Sequence, residues 1–223
     1  VAEGKWRALR QRIARDGLPA TLRKAIGDHV FRHSASVVME LRREDARLGP
    51  VRADGSIRFV ILRDDDEVPP LCPFLAHRRR DFIDSLAIGK LGFFVLRHEI
   101  AVGCAWVALS DHHDSRMRER YRVAPGEAYL YSWLLDPVER PRGTALMFAR
   151  WVMQVLLGMA VERMFCVIDR DNRASYRIHQ HFRYRESGLL VRHFHLLHLR
   201  WTLMSRYKGT LGLRDPARGR RAA

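Results

Sequence analysis

A short basic loop, Arg140-Pro141-Arg142-Gly143-Thr144-Ala145, separates the apolar run Tyr129-Leu-Tyr-Ser-Trp-Leu-Leu135 from a helix-like run, Leu146 to Leu157. The first run has strand composition and is closed by Asp136-Pro137, and the second stops at Gly158. Strand, glycine-bearing loop and helix in that order leave backbone N–H groups without partners at the helix start, where the helix dipole is positive. Phosphate oxygens are the natural ligand of such a place. Gly143 would let the backbone approach them with no side chain in between. Downstream, Asn172 is placed to cap a helix that follows the strand-like Met164-Phe-Cys-Val-Ile168.

Three other polar clusters invite chemistry and are weighed against plainer readings. Asp111-His112-His113-Asp114 has metal-ligating residue types. Adjacent imidazoles point apart in most backbone conformations, so a solvated loop, with a role in substrate contact open, fits better than zinc. Asp64-Asp65-Asp66-Glu67 lacks the alternating spacing of a calcium loop and ends in Pro69-Pro70, which reads as a solvated loop. His193, His195 and His198 alternate along a closing strand, either as a pH-sensitive set or as imidazoles stacked on a half-buried face. No metal is expected.

The elements that must position these residues follow from the pattern. Phe31 to Leu41 and Ser56 to Leu62 read as strands, with Asp54-Gly55 a turn signal between them. Pro73 to Ile88 carries a helical pattern. Leu91 to Leu109 reads as a hairpin broken at Arg97-His98-Glu99, and Leu189 to Met204 as one or two closing strands. Residues 1–28 read as a basic helical extension with Trp6, Leu9, Ile13 and Leu18 on one face, packing on its own domain, on a partner or at a membrane surface. A single domain over 29–205 and a basic tail over 206–223 complete the division.

The 223 residues, 47% of them hydrophobic, can bury one substantial core. The net charge of +15 is carried almost wholly by arginine and spread along the chain, which argues against a nucleic-acid module and allows a weak attraction to anionic ligands or membrane surfaces. No apolar stretch is long enough to span a membrane, and the N-terminus has no apolar core of a secretion signal. With Cys72, Cys104 and Cys166 widely spaced, reduced thiols in a cytoplasm are expected. The oligomeric state is left open.

The loop reads Arg-x-x-Gly-x-Ala and resembles motif A of the GCN5-related N-acetyltransferases, which cradles the pyrophosphate of acetyl-CoA. Its continuation is similar to the family's motif B, with Asn172, Ser175, His179, Arg183-Tyr184 and Gly188 at the matching positions. The hairpin at 91–109 matches the family's second and third strands. Two positions depart: His179 stands where the family has Tyr, and Arg183 where it has Gly, which suggests a less tight turn. The resemblance covers roughly 56 to 200.

That resemblance implies an α+β fold, a mixed sheet splayed between its core strands with helices on both faces. It implies an acetyl-CoA or other acyl-CoA co-substrate, held by Leu135, Arg140, Arg142, Gly143, Thr144, Ala145, Asn172 and Ser175. The acyl group would pass directly to an amine of a small-molecule or protein acceptor. Glu127 is the candidate base, or a plain exposed carboxylate at a strand start, and His179 the candidate acid for the departing thiolate. Two other classes stay open: a catalytically degenerate CoA-binding module with a regulatory or interaction role, and a polyanion- or membrane-surface-binding protein.

Overall fold

The computed structural model describes residues 31–51, 55–114, 119–197 and 199–214. The expected helix over 1–28, and the last nine residues of the expected tail, lie outside the described residues. Ten strands form: β1 (Phe31–Arg42), β2 (Ile57–Leu62), β3 (Leu91–Arg97), β4 (Ile100–Ala108), β5 (His112–Asp114), β6 (Glu119–Tyr121), β7 (Glu127–Leu135), β8 (Arg163–Asp169), β9 (Arg185–Leu196) and β10 (Leu199–Arg206). Four α-helices accompany them: α1 (Pro73–Ala76), α2 (Arg79–Ala87), α3 (Thr144–Gly158) and α4 (Arg173–His181). Eight strands make one mixed sheet in the order β10-β9-β1-β8-β7-β4-β3-β2, and β5 with β6 makes a separate hairpin.

Alternation along the strands sorts the side chains onto two faces. On β3, Phe93 meets Trp151 of α3 while its neighbour Phe94 meets Phe82 of α2, so these helices cover opposite faces. On β1, Val37, Met39 and Leu41 join the main core, whereas Val38 packs with Tyr129, Phe165 and Val191 on the other face. There the β5–β6 hairpin closes over the sheet, with Tyr121 stacked on Tyr129 at 4.5 Å. This hairpin occupies the stretch that composition had suggested to be loop. His112 is buried in it, 4.2 Å from the Tyr131 ring, so ring packing explains its place.

Pairing partners differ from the local signals in three places. β1 lies between β8 and β9, antiparallel to both, so β1 forms no hairpin with β2, which sits at the far edge. A turn signal acts over four residues; which strand β1 joins is decided by burial, and Val37 is fully buried there. The helical pattern over 73–88 is two helices, broken at His77-Arg78. Residues 207–214 are not a loose tail: Glu186 accepts hydrogen bonds from the Tyr207 hydroxyl (2.5 Å) and the Leu211 and Gly212 amides (both 2.8 Å). The Arg97-His98-Glu99 hairpin does form, with His98 and Glu99 both at positive φ as a tight two-residue turn requires.

The sheet's one parallel pair shapes the site. β7 and β8 pair only from Glu127↔Arg163 to Leu130↔Cys166, although both strands run on beyond. On its other edge β7 carries one extra residue against β4: Tyr131 faces Trp106, but Leu134 faces Cys104. Ser132 stands in this bulge at φ 48°. The bulge turns Trp133 out of the alternation of Tyr129 and Tyr131 and onto the helix face, 5.3 Å from Phe148 of α3. Gly103 makes the close approach of β4 possible, since a Cβ there would meet Leu135 Cδ1 at 2.7 Å and Val95 Cγ1 at 2.8 Å. Gly103→Ala is therefore expected to cost about 1–3 kcal/mol by overpacking. In thermal unfolding it should lower Tm by about 2–4 °C per kcal/mol; an unchanged Tm would show that the strands give way freely.

Candidate active site

Beyond the end of β7, Asp136 accepts a hydrogen bond from the Val138 amide (3.0 Å) and starts a 3-10 turn over Pro137–Arg142. Gly143 then adopts φ 74° and hands the chain to α3, whose first amides have no intrahelical acceptor. A Cβ at Gly143 would meet nothing within 4 Å, so the loop backbone lies open on that side. Glu139 holds this loop in place. It is buried, accepts both ends of the Arg97 guanidinium at 2.9 Å, and takes further bonds from Arg142 Nη1 (3.0 Å) and Thr144 Oγ1 (3.0 Å). The hydrogen bonds from Arg97, against the upward push of burial and with those from Thr144, hold its carboxyl below the usual range.

A cleft of about 330 Å³ opens where β7 and β8 part, lined by Trp133, Leu135, Arg140, Ala145, Asn172, Ala174, Ser175, Ile178 and His179. The structure thus brings together Leu135, Arg140, Ala145, Asn172, Ser175 and His179 of the sequence-derived set. Gly143 and Thr144 adjoin them in the loop, but the Thr144 hydroxyl is taken by Glu139. Arg142 likewise turns to Glu139 rather than into the cleft. Asn172 caps α4 as expected, its Oδ1 accepting from the Ser175 amide at 3.2 Å.

His179 lies on the cleft wall, edge-on to Tyr184 at 4.9 Å and 6.3 Å from the Trp133 ring. Its Nδ1 is 2.8 Å from the Ser175 carbonyl, which can only accept, so Nδ1 carries the proton. Nε2 of the neutral ring is then an acceptor. Burial lowers the pKa further, only partly offset by the Ser175 bond. In this neutral form His179 offers Nε2 as an acceptor, and to serve a thiolate as an acid the ring would first have to take a proton there. Arg183, at φ 65°, gives the turn after α4 the left-handed conformation that glycine would have adopted, so the turn is no looser for the substitution.

Glu127 is not brought to this cleft. It opens β7, six residues and roughly 20 Å of strand before Trp133. Arg163 Nη1 donates to it at 2.7 Å and the Ala124 amide at 3.0 Å. Burial pushes its carboxyl up, but the bonds from Arg163 and Ala124 outweigh this and hold it below the usual range, which makes it a poor base. Sequence reasoning missed Glu139, whose only signal was a lone carboxylate within a basic loop, and Trp133, whose placement depends on a bulge with no sequence signature.

Two outcomes follow from these pairings. Glu139→Gln removes the buried carboxylate on which the half-buried Arg97 guanidinium is seated, so denaturant unfolding should show a loss of about 3 kcal/mol. A neutral result would mean that the loop holds its shape without the carboxylate. Because the unfolded His179 takes a proton near 6.5 and the folded one only at lower pH, its contribution is complete above 6.5 and lost as pH falls through the folded value. The drop in unfolding free energy between pH 7.5 and 5.5 should accordingly be smaller in His179→Gln than in the parent; equal drops would place the ring in solvent.

No protein-family model matches the chain, and no curated protein matches it in sequence. Among solved structures, a Drosophila protein aligns over 81% of this chain and 57% of its own, with 13% identity and a TM-score of 0.51. A GCN5-related N-acetyltransferase from Kribbella flavida aligns over 87% of this chain and 65% of its own, with 10% identity and a TM-score of 0.47. Another from Sphaerobacter thermophilus aligns over 79% and 56%, with 12% identity and a TM-score of 0.46. The chain thus spans less than two thirds of the length of each, and at 13% identity the likeness to the Drosophila protein is one of fold alone. The mixed α+β architecture is what the chain shares with the Drosophila structure, and its resemblance to the GCN5-related N-acetyltransferases stays with the loop and helix motifs of its sequence.

Proposed function

We propose that the chain is an acyl-CoA-dependent N-acyltransferase, moving an acyl group, acetyl in the simplest case, from the CoA thioester to an amine by direct attack. The observation that carries this reading is the cleft between the parted strands, which collects Leu135, Arg140, Ala145, Asn172, Ser175 and His179 beside the Gly143 loop. Loop amides and Arg140 suit a pyrophosphate, and the unpaired end of β7 offers backbone partners to the amides of a pantetheine arm. His179 Nε2 can accept from such an amide. Holding amine and thioester together would supply much of the acceleration.

The acceptor is a small-molecule or protein amine in this reading. The three cysteines are free and buried, with the Cys104 thiol pushed up to about 12 by burial, which supports a reduced, cytoplasmic setting. No helix among the described residues is long and apolar enough to cross a membrane.

One observation favours a second reading, a CoA-binding module without turnover: Glu127 is tied to Arg163 and His179 presents no proton to the cleft. Calorimetry with CoA, followed by free-thiol release from acetyl-CoA across a panel of amines, separates the two. Gly143→Val forces a β-branched residue to φ 74°, at about 1–3 kcal/mol of strain, and puts a side chain over the loop amides. The variant should fold and lose measurable CoA binding; parent-like affinity would remove the loop from the site.

A further inference from the structure

On the face of the sheet opposite α3 and α4, Ser36 of β1, His193 of β9 and Glu119 of β6 meet. His193 Nδ1 lies against Glu119 Oε1, and its Nε2 lies 3.3 Å from Ser36 Oγ. All three residues are more than nine-tenths buried. Glu119 also accepts the Tyr121 hydroxyl and, at 3.1 Å, the Thr202 hydroxyl. Burial pushes the Glu119 carboxyl up, but the bonds from His193, Tyr121 and Thr202 prevail and keep it ionised. A carboxylate can only accept, so its place beside Nδ1 favours the tautomer with the proton on that nitrogen and the Nε2 lone pair toward Ser36.

These side chains line a second cleft of about 390 Å³, together with Val167, Asp169 and Asn172. Val167 and Asp169 belong to the half of β8 that no longer pairs with β7. Asn172 lines the first cleft too. The two clefts therefore open on opposite faces of the sheet and meet at the gap between the parted strands. In the acyl-transfer reading, a thioester seated in the first would meet a nucleophile from the second across that gap.

Resting on the acyl-transfer reading above, we propose that the second cleft admits the acceptor amine, with His193 as its general base and Glu119 as the residue that positions that base. The acceptor ammonium gives one proton to His193 Nε2, directly or across the Ser36 hydroxyl, and the Glu119 carboxylate stabilises the imidazolium that results. The freed lone pair bonds to the carbonyl carbon, and the C–S bond breaks with its electron pair on sulfur. The proton shed by the new amide nitrogen reaches the thiolate through water. His193 returns its own proton to solvent, so one proton is released per turnover.

The test reads free CoA thiol from acetyl-CoA with ethanolamine, putrescine, benzylamine and a lysine-bearing peptide, using the amine that the parent turns over fastest. His193→Gln is expected to lower kcat by about 10²–10⁴-fold while CoA affinity by calorimetry stays at the parent value. His193→Asn serves where the longer side chain does not fold. Glu119→Gln should lower kcat on the order of 10-fold or more by releasing the tautomer, and Glu119→Asp should recover part of it. Imidazole added to His193→Ala should restore turnover, which a merely structural histidine would not show. Parent-like kcat in His193→Gln, or no imidazole rescue in a folded His193→Ala, overturns the assignment and leaves acyl transfer standing. CoA binding by the parent with no thiol released by any amine overturns the acyl-transfer reading and this one with it.

Discussion

Two neighbouring parallel strands that stop pairing after four residues create the constraint on which the rest of the molecule depends. A strand that leaves its neighbour exposes backbone N–H and C=O groups on both, and each must find another partner. The bulge at Ser132 and the close contact at Gly103 bend β7 toward β4, so the separation is built into the packing. On the β8 side, Arg170 returns to β1 through its amide and reaches the 211–212 backbone through its guanidinium. The gap is thus stabilised from its outer edges while its interior stays available to a ligand that brings its own amides.

Several of the 25 carboxylates of this arginine-rich chain sit where they organise structure. Glu139 gathers Arg97, Arg142 and Thr144 under the Gly143 loop. Arg163 bridges Glu40 and Glu127, tying β1 to the start of β7 across β8. Glu186 takes four donors, two tyrosine hydroxyls and two amides, and fastens residues 207–214 against α4. Each buried anion is met by several donors, which is the condition under which a buried charge is tolerated.

The central segment was legible because its signals are local. A glycine between a strand and a helix, Asn172 ahead of Ser175, and the apolar run 129–135 act within a few residues of one another, and the structure places them as read. What escaped depends on distance in the chain. Ser36 and His193 are separated by 157 positions and meet only because β1 enters the sheet beside β9. The roles of Glu127 and His179 were carried by resemblance. A resemblance transfers a position in the chain but not the hydrogen bonds that set its proton: Arg163 in one case, the Ser175 carbonyl in the other. Arg183 shows the opposite case, in which backbone geometry persists although the residue that would favour it has gone.

Asn172 borders both clefts while its side-chain oxygen is held by the amide of Ser175. Were a ligand in each cleft to touch that side chain, any free energy by which one changed the other's affinity would be returned in equal size. Order of entry or mutual exclusion would then be set at a single amide side chain.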